Sequence, residues 1–208
     1  MRGGSKISTD AAAFRFAPEN HFDPVYFGSV FLRSAPLEVD LGCGDGSYVA
    51  ALAARHPQSN FVAIERLAGR VRSACNRLAR LNLTNVRILQ IDSSHAVQHL
   101  LMPASVARFH LLFPDPWPKR RHHRRRVVDD RFLGAIATAL LPGGTIRIVT
   151  DDVNYFSAIV DTARHTDRLS RIIEPDGEQL PASTFEQRFR DRGLGIYRLV
   201  LRKTCDMR

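Results

Sequence analysis

The chain has 208 residues, of which 44% are hydrophobic and 25% charged, as expected for a single globular domain. Its apolar runs are too short to span a bilayer, and its first ten residues lack the apolar stretch of a signal peptide. Lys and Arg exceed Asp and Glu by 30 to 21, which gives a formal net charge of +9. The composition excludes a membrane span and favours a polyanionic partner such as a nucleic acid.

The cysteine pattern indicates a reduced, cytoplasmic setting. Cys43, Cys75 and Cys205 lie far apart and form no paired motif, so we expect neither a disulfide framework nor a zinc site. His122 and His123 are adjacent, a spacing that does not direct two ligands at one metal. No metal is therefore expected.

The order of apolar segments predicts the fold. Residues 1–35 form a basic lead-in of poor periodicity, expected to be partly disordered or draped over a domain at 36–208. Strands rich in branched residues are predicted at 37–41, 60–65, 86–91, 109–113, 145–150 and 196–203. Helical spacing is found at 47–56, 68–81, 94–102, 127–140 and 153–164. This alternation predicts an α/β fold, with a mostly parallel sheet and helices on both faces.

A glycine-rich loop follows the first of these strands. Residues 40–46 read Asp-Leu-Gly-Cys-Gly-Asp-Gly, so the glycines are spaced Gly-x-Gly-x-Gly rather than Gly-x-Gly-x-x-Gly as in dinucleotide binders. The carboxylate of Asp40 would repel a pyrophosphate but would suit the ammonium group of a methionine moiety. The loop, with Gly42 and Gly44 close to the ligand, therefore favours S-adenosylmethionine over NAD.

Two more acids end the next two strands. Glu65 lies where an acidic side chain can bind both ribose hydroxyls, and Asp92 is placed to accept a hydrogen bond from an adenine amino group. Carboxyl ends of parallel strands meet at one edge of a sheet, so these acids are expected beside the glycine loop.

The segment after the fourth strand is unusually basic. Residues 113–118 read Phe-Pro-Asp-Pro-Trp-Pro, and residues 119–126 are all Lys, Arg or His. Three prolines favour an extended, stiff chain, and Asp115 is predicted at the strand tip. An aromatic ring, Trp117, followed by dense positive charge is typical of a site that stacks bases and binds phosphates.

These motifs resemble the tRNA (guanine-N7-)-methyltransferase family, TrmB type, over about residues 36–203. The resemblance rests on Phe-Pro-Asp-Pro-Trp-Pro-Lys with its Arg and His clusters, on Thr150-Asp151, and on Thr184-Phe185-Glu186-Gln187-Arg188. It implies a Rossmann-like class I methyltransferase fold that uses S-adenosylmethionine and methylates tRNA, in the variable loop. It further implies a cytoplasmic enzyme that is a monomer or homodimer and needs neither metal nor membrane.

The resemblance also implies roles for individual residues. Asp115 would be the catalytic residue. The cofactor would be bound by Asp40, Gly42, Gly44, Glu65, Asp92 and Asp115. The substrate would be bound by Lys119, Asp151, Ser183, Thr184, Phe185 and Glu186.

Guanine N7 carries a lone pair and no proton, so its methylation needs no general base at the nucleophile. We expect Asp115 to orient the base and to stabilise its developing positive charge. A carboxylate must also read the guanine, and the sequence offers Glu186 or Asp151.

Three other functions compete with this interpretation. An amino-group methyltransferase, acting on adenine or a protein amide, would carry a second proline where Trp117 follows Asp115-Pro116. A non-catalytic RNA-binding protein with this fold would be expected to lose the glycine loop or the acids. An NAD oxidoreductase is disfavoured by the glycine spacing.

Overall fold

The computed structural model describes residues 9–173 and 180–204. The strands are β1 (Arg15–Phe16), β2 (Leu37–Leu41), β3 (Asn60–Ile64), β4 (Val86–Leu89), β5 (Val106–Leu112), β6 (Leu140–Thr150), β7 (Leu169–Ile172) and β8 (Tyr197–Lys203). The helices are α1 (Thr9–Ala12), α2 (Ser47–Arg55), α3 (Ala68–Arg80), α4 (Ser93–His95), α5 (Asp130–Ala139), α6 (Val153–Arg164) and α7 (Thr184–Asp191). A π-helical turn, Ala96–Leu100, continues α4, and 3₁₀ turns span Phe27–Ser29 and Arg120–Arg125.

The strands form one sheet in the order β1-β4-β3-β2-β5-β6-β8-β7. All neighbouring pairs are parallel except β6–β8 and β7–β8, which are antiparallel. The predicted mostly parallel sheet is confirmed. Because β2 lies between β3 and β5, the loops that follow β3, β2 and β5 lie side by side at one edge of the sheet.

Helices cover both faces of the sheet, as predicted. Along β3, Phe61 and Ala63 pack into the core beneath α2 and α3, whereas Val62 and Ile64 pack into the core beneath α5 and α6. Both cores consist of buried apolar side chains, and full burial of a Val, Leu, Ile or Phe side chain is worth about 1.5–3 kcal/mol. A sheet buried on both faces explains why its central strands are apolar without alternation.

Element boundaries follow local chemistry. β2 and α6 have the predicted bounds, whereas α5 begins three residues later than predicted because Asp129 caps it, its Oδ1 accepting from the Phe132 amide at 2.8 Å. The helix ends at Ala139, next to the predicted end at 140, and the helix-breaking residues Pro142-Gly143-Gly144 follow shortly after. β1, β7 and α7 are not predicted by the periodicity.

The described part of the lead-in packs against the sheet. β1 extends the sheet by pairing with β4, and Val25 forms a parallel bridge with Leu101. Phe27 and Phe31 are buried in the core. Residues 1–8, 174–179 and 205–208, with Cys205 among them, lie outside the described residues. In the described ranges, no helix has the length and apolarity needed to cross a bilayer.

A buried polar chain joins α2 to the central strands. The hydroxyl of Tyr48 lies 3.0 Å from His110 Nδ1, and His110 Nε2 lies 2.9 Å from Glu38 Oε2. Burial lowers the pKa of His110 although Glu38 opposes this effect. The hydrogen bonds satisfy three buried polar side chains and hold the start of α2 over β2 and β5.

The close approach of the glycine loop to α3 can be tested by substitution. Gly46 has φ +73°, and a Cβ there would lie 2.7 Å from Cβ of Ala74 on α3. Gly44 has φ +59°, but a Cβ there would meet no atom within 4 Å. We expect Gly44→Ala to cost about 1–2 kcal/mol for its left-handed backbone, and Gly46→Ala about 2–5 kcal/mol because overpacking adds to that strain. Urea unfolding of the two variants measures the difference, and equal costs would contradict the packing.

Candidate active site

A cleft of about 520 Å³ opens at the carboxyl ends of β2, β3, β4 and β5. Four of the predicted cofactor residues line it: Gly42, Glu65, Asp92 and Asp115. Asp40 and Gly44 lie outside its lining, Asp40 within β2 and Gly44 in the loop that follows. The structure therefore brings the carboxylates that follow β3, β4 and β5 into one cleft, at the edge of the sheet where these parallel strands end.

The glycine loop turns tightly over the end of β3. The amides of Gly42 and Cys43 both donate to the carbonyl oxygen of Ile64, at 2.8 and 2.9 Å. Gly42 and Gly44 have φ values of +76° and +59°, the left-handed region that glycine tolerates best. A Cβ at either position would meet no atom within 4 Å, so the space beside the loop is open to a ligand.

Glu65 fastens this loop to the start of α3. Its Oε2 accepts from the Gly44 amide at 3.1 Å, and its Oε1 accepts from the Leu67 amide at 2.8 Å. The side chain is only 5% exposed, although it lines the cleft. Glu65 thus has a structural role in addition to the predicted one of binding ribose hydroxyls.

Asp40 is an incompletely satisfied buried acid. It is 2% exposed, and its Oδ2 has no hydrogen-bond partner among the residues that the structure describes. Burial, reinforced by the nearby charge of Glu65, raises the pKa of Asp40 to about 7. A buried carboxyl in this state is costly unless a donor binds it. A cationic ligand group beside Asp40 would supply the missing partner.

Asp92 has two roles available to it. It is the N-cap of α4, and its Oδ1 accepts from the amides of Ser94 and His95 at 2.9 and 3.2 Å. Asp92 is exposed and lies on the wall of the cleft. The cap fixes the carboxylate at the end of β4, where adenine recognition was predicted.

The segment that carries Asp115 is strained. Phe113 and Trp117, two residues before and after it, have φ values of +51° and +44°. Such backbone is rare for bulky residues and persists only where surrounding contacts enforce it. Asp115 itself is exposed to the cleft. The strain supports a functional role for this tip.

The arginine-rich segment holds the tip in place. Arg126 donates from Nε to the carbonyl oxygen of Pro116 at 2.8 Å and stacks on the ring of Tyr155 at 4.6 Å. Arg125 lies over the ring of Trp117 at 4.9 Å, and His122 meets the same ring edge-on at 5.8 Å. Residues 120–125 form a 3₁₀ turn, so the basic run is folded back on Trp117 rather than extended.

Helix α7 presents the predicted substrate segment. Ser183 caps it, accepting from the Glu186 amide at 3.0 Å, and Thr184 Oγ1 lies 2.8 Å from Oγ of Ser47 at the start of α2. Phe189 packs on Phe113 with ring centroids 5.1 Å apart. α7 is therefore anchored to both the glycine-loop helix and the strained tip. Phe185, which is 46% exposed, lies next to Phe113, at a centroid distance of 6.4 Å.

Glu186 is buried within an ion-pair cluster. Its Oε1 accepts from Arg190 at 2.5 Å and from Arg198 of β8 at 2.6 Å. Burial alone would raise the pKa of Glu186, but the hydrogen bonds from Arg198 and Arg190 outweigh burial and hold it below its ordinary value. Glu186 is therefore a charged anchor that fixes α7 to the sheet.

Lys119 and Asp151 follow adjacent strands. Lys119 is exposed at the start of the 3₁₀ turn after β5, and the half-buried Asp151 directly follows β6. β5 and β6 are paired up to Leu112 and Val149, so both residues lie at the same edge of the sheet as Asp115.

Comparison with known proteins agrees with this geometry. A family model described as putative methyltransferase matches residues 34–199. A tRNA (guanine-N(7)-)-methyltransferase of Nitrosospira multiformis is 35% identical over 177 residues, 84% of this chain and 77% of that protein. One of the same name from Syntrophotalea carbinolica is 33% identical over 196 residues, 90% of this chain and 84% of that protein.

The chain belongs to the tRNA (guanine-N7-)-methyltransferase family. Solved structures support the fold of this family member. The 16S rRNA methyltransferase KamB superposes with a TM-score of 0.59 at 16% identity, covering 82% of this chain and 88% of that one. TrmN from Thermus thermophilus gives 0.58 at 18% identity, covering 83% of this chain and 45% of that one. The predicted Rossmann-like class I fold is confirmed.

Several contributors to the site were not predicted from the sequence of this family member. Arg66 and Arg70 line the cleft, and Tyr155 and Arg198 hold its surroundings in place. α7 had a detectable signal, because Ser183-x-x-Glu186 is the spacing of a capping box. The positions of the four residues named above depend on tertiary contacts, which no short-range sequence pattern shows.

The raised pKa of Asp40 makes the free energy of unfolding depend on pH. Its folded-state pKa is above its ordinary value, so ionisation costs stability from about pH 4 upward, and the full cost is reached above pH 7. We expect Asp40→Asn to become more stable relative to the wild type by about 2–3 kcal/mol between pH 5 and pH 8. Chemical denaturation without cofactor at both pH values measures this change.

Asp45 of the same loop is the matched control. Burial alone would raise the pKa of Asp45, but its hydrogen bonds with Ser47 and the charge of Arg77 outweigh burial and lower it. Asp45→Asn is therefore expected to lose stability relative to the wild type as the pH rises from the acid range. Parallel behaviour of the two variants would refute the assignment for Asp40.

Proposed function

We propose that this protein transfers the methyl group of S-adenosylmethionine to N7 of a guanine in the variable loop of tRNA. The observation that carries this proposal is the position of Asp115 at the strained tip of β5, in one cleft with Glu65 and Asp92. The names of the related enzymes support guanine N7 and tRNA as the acceptor.

The residues of the cleft fit the cofactor. The unpartnered Oδ2 of Asp40 suits the ammonium of the methionine moiety, and the open space beside Gly42 and Gly44 allows close approach. Glu65 and Asp92 are placed for the ribose and the adenine. SMU.1697c, a putative methyltransferase from Streptococcus mutans, was solved in complex with SAH, and its structure superposes on this chain with a TM-score of 0.56. S-adenosylmethionine would supply an electrophilic methyl group on a sulfonium.

Asp115 acts on the acceptor without abstracting a proton. Guanine N7 attacks with its lone pair and becomes cationic, so a nearby carboxylate stabilises the charge that develops. The contacts of Pro116 with Arg126 and of Trp117 with Arg125 fix Asp115 in position before substrate arrives. The rate advantage then comes from alignment and electrostatics.

We assign guanine recognition to Asp151 rather than Glu186. Two arginines already hold Oε1 of Glu186, and its side chain is buried at the base of α7. Asp151 follows β6 at the same sheet edge as Asp115. Ser183 and Thr184 place α7 beside this edge, and the exposed Phe185 offers a ring to the base.

Lys119 and the 3₁₀ turn at Arg120–Arg125 position the tRNA by binding its phosphates. The basic surface of the chain supports this role, because its net charge is +9. In this proposal the enzyme works in the cytoplasm as a monomer or a homodimer, with neither a metal ion nor a membrane.

The product of the reaction tests the proposal. Purified protein is incubated with S-adenosylmethionine and unmodified tRNA, and the digested nucleosides are identified by mass spectrometry. We expect 7-methylguanosine from the wild type. A methylated adenosine would indicate an amino-group methyltransferase, and tRNA binding without product would indicate a non-catalytic RNA-binding protein.

Asp115→Asn tests the catalytic role in the same assay. We expect kcat to fall by about 10²-fold, because one electrostatic stabiliser is lost, with cofactor and tRNA affinities nearly unchanged. Asp130→Asn is the matched control, since Asp130 is an exposed acid in the first turn of α5. Full turnover by Asp115→Asn with normal binding would exclude the role.

A further inference from the structure

Two exposed arginines on the wall of the cleft have no role in the proposed reaction. Arg66 and Arg70 lie at the start of α3, and both line the cleft that contains Asp115. Arg70 approaches Glu65 only to 3.9 Å, and its side chain is 52% exposed. A contact of this kind contributes little to stability.

The cofactor does not account for this positive charge. S-adenosylmethionine carries a sulfonium, an ammonium group and one carboxylate, so it is a net cation. Its carboxylate is bonded to the same carbon as the ammonium that is assigned to Asp40 of β2, whereas Arg66 and Arg70 follow Glu65, which is assigned to the ribose. Arginines at the mouth of the same cleft would repel a cationic ligand. Their charge matches an anion that arrives from outside.

Helix stability does not account for it either. Positive charge near the N-terminus of a helix is unfavourable, and α3 has no acidic residue in its first turn. Arg77, later in the same helix, has a clear structural partner in Asp45 at 2.7 Å. Arg66 and Arg70 are thus placed where they weaken the helix slightly.

The sheet order places these arginines across the cleft from the basic run at 119–126. Arg66 and Arg70 follow β3, whereas Arg125 follows β5 and also lines the cleft. β2 lies between β3 and β5. Positive charge therefore borders the cleft on its β3 side and on its β5 side.

We propose that Arg66 and Arg70 bind tRNA phosphates on the α3 side of the cleft, so that the RNA backbone straddles the cleft opening. This inference rests on the proposed function. A base must leave its stack to reach a buried methyl donor, and unstacking is favoured when the backbone is held on both sides of the target nucleotide. Arg66 and Arg70 hold one side, and residues 119–126 hold the other.

The test is tRNA binding as a function of salt concentration. We compare wild type with Arg66→Gln, Arg70→Gln and their double variant, using unmodified tRNA. Each single substitution is expected to reduce the slope of log K against log salt by about 1, which is the loss of one phosphate contact. The double variant should bind tRNA about tenfold more weakly, with cofactor affinity unchanged.

Two further variants serve as a negative and a positive control for the salt dependence. Arg80→Gln removes an exposed arginine from the last turn of α3, away from the cleft, and should leave the salt slope unchanged. Arg124→Gln lies in the basic run and should reduce the slope as Arg66→Gln does.

The outcomes separate this inference from the proposed function. An unchanged slope in the double variant, with a reduced slope in Arg124→Gln, would overturn the contact on the α3 side. Loss of cofactor affinity by the same factor as tRNA affinity would also overturn it, because the arginines would then serve the cofactor. Absence of 7-methylguanosine with the wild type would refute the proposed function instead, and the binding measurements would still decide the phosphate contact.

Discussion

The site depends on a carboxyl group buried at the centre of the sheet. Asp40 lies in β2, between β3 and β5, and one of its oxygens has no partner in the described structure. The low-polarity surroundings raise the pKa of Asp40 to about 7, so the free protein holds a group that is unfavourable in either state. The glycine loop begins two residues later, and Glu65 ties that loop to β3. A cation bound beside Asp40 would remove the free-energy cost of burying this carboxyl without a partner.

The segment around Asp115 also holds an unfavourable local structure. Phe113 and Trp117 adopt left-handed backbone on either side of Asp115, which costs on the order of 1–3 kcal/mol each. The contacts of Arg125 and Arg126 on one side and the aromatic packing of Phe189 on the other offset that cost. Strained groups held by their surroundings can remain in position without reorganising when substrate binds. Stability and function are opposed in this part of the fold.

Positions in the site that chain geometry alone determines could be predicted from the sequence. The acids at 65, 92 and 115 follow β3, β4 and β5, and the carboxyl ends of parallel strands meet at one edge, so their convergence was predictable. The burial of Asp40 follows from its place inside a central strand.

Positions in the site that depend on tertiary partners could not be predicted from the sequence. Glu186 resembles a binding residue in sequence, but its partner Arg198 lies twelve residues away on β8, and only the folded chain brings them together. The three prolines favour an extended chain in the segment after β5, whereas the contacts of Arg125 with Trp117 and of Arg126 with Tyr155 fold the basic run back. The convergence of Arg66 and Arg70 with Arg125 depends on strand order, which the segment pattern did not specify.

If Asp40 is held unsatisfied for the cofactor, then cofactor binding must release the proton that Asp40 carries in the free protein. At pH 6 the amino group of S-adenosylmethionine is already protonated, whereas Asp40 in the free protein is mostly neutral. Titration calorimetry in buffers of different ionisation enthalpy counts the protons exchanged. We expect the wild type to release close to one proton, and Asp40→Asn to release none and to bind more weakly. Tight binding without proton release by the wild type, or equal affinity in the variant, would contradict it.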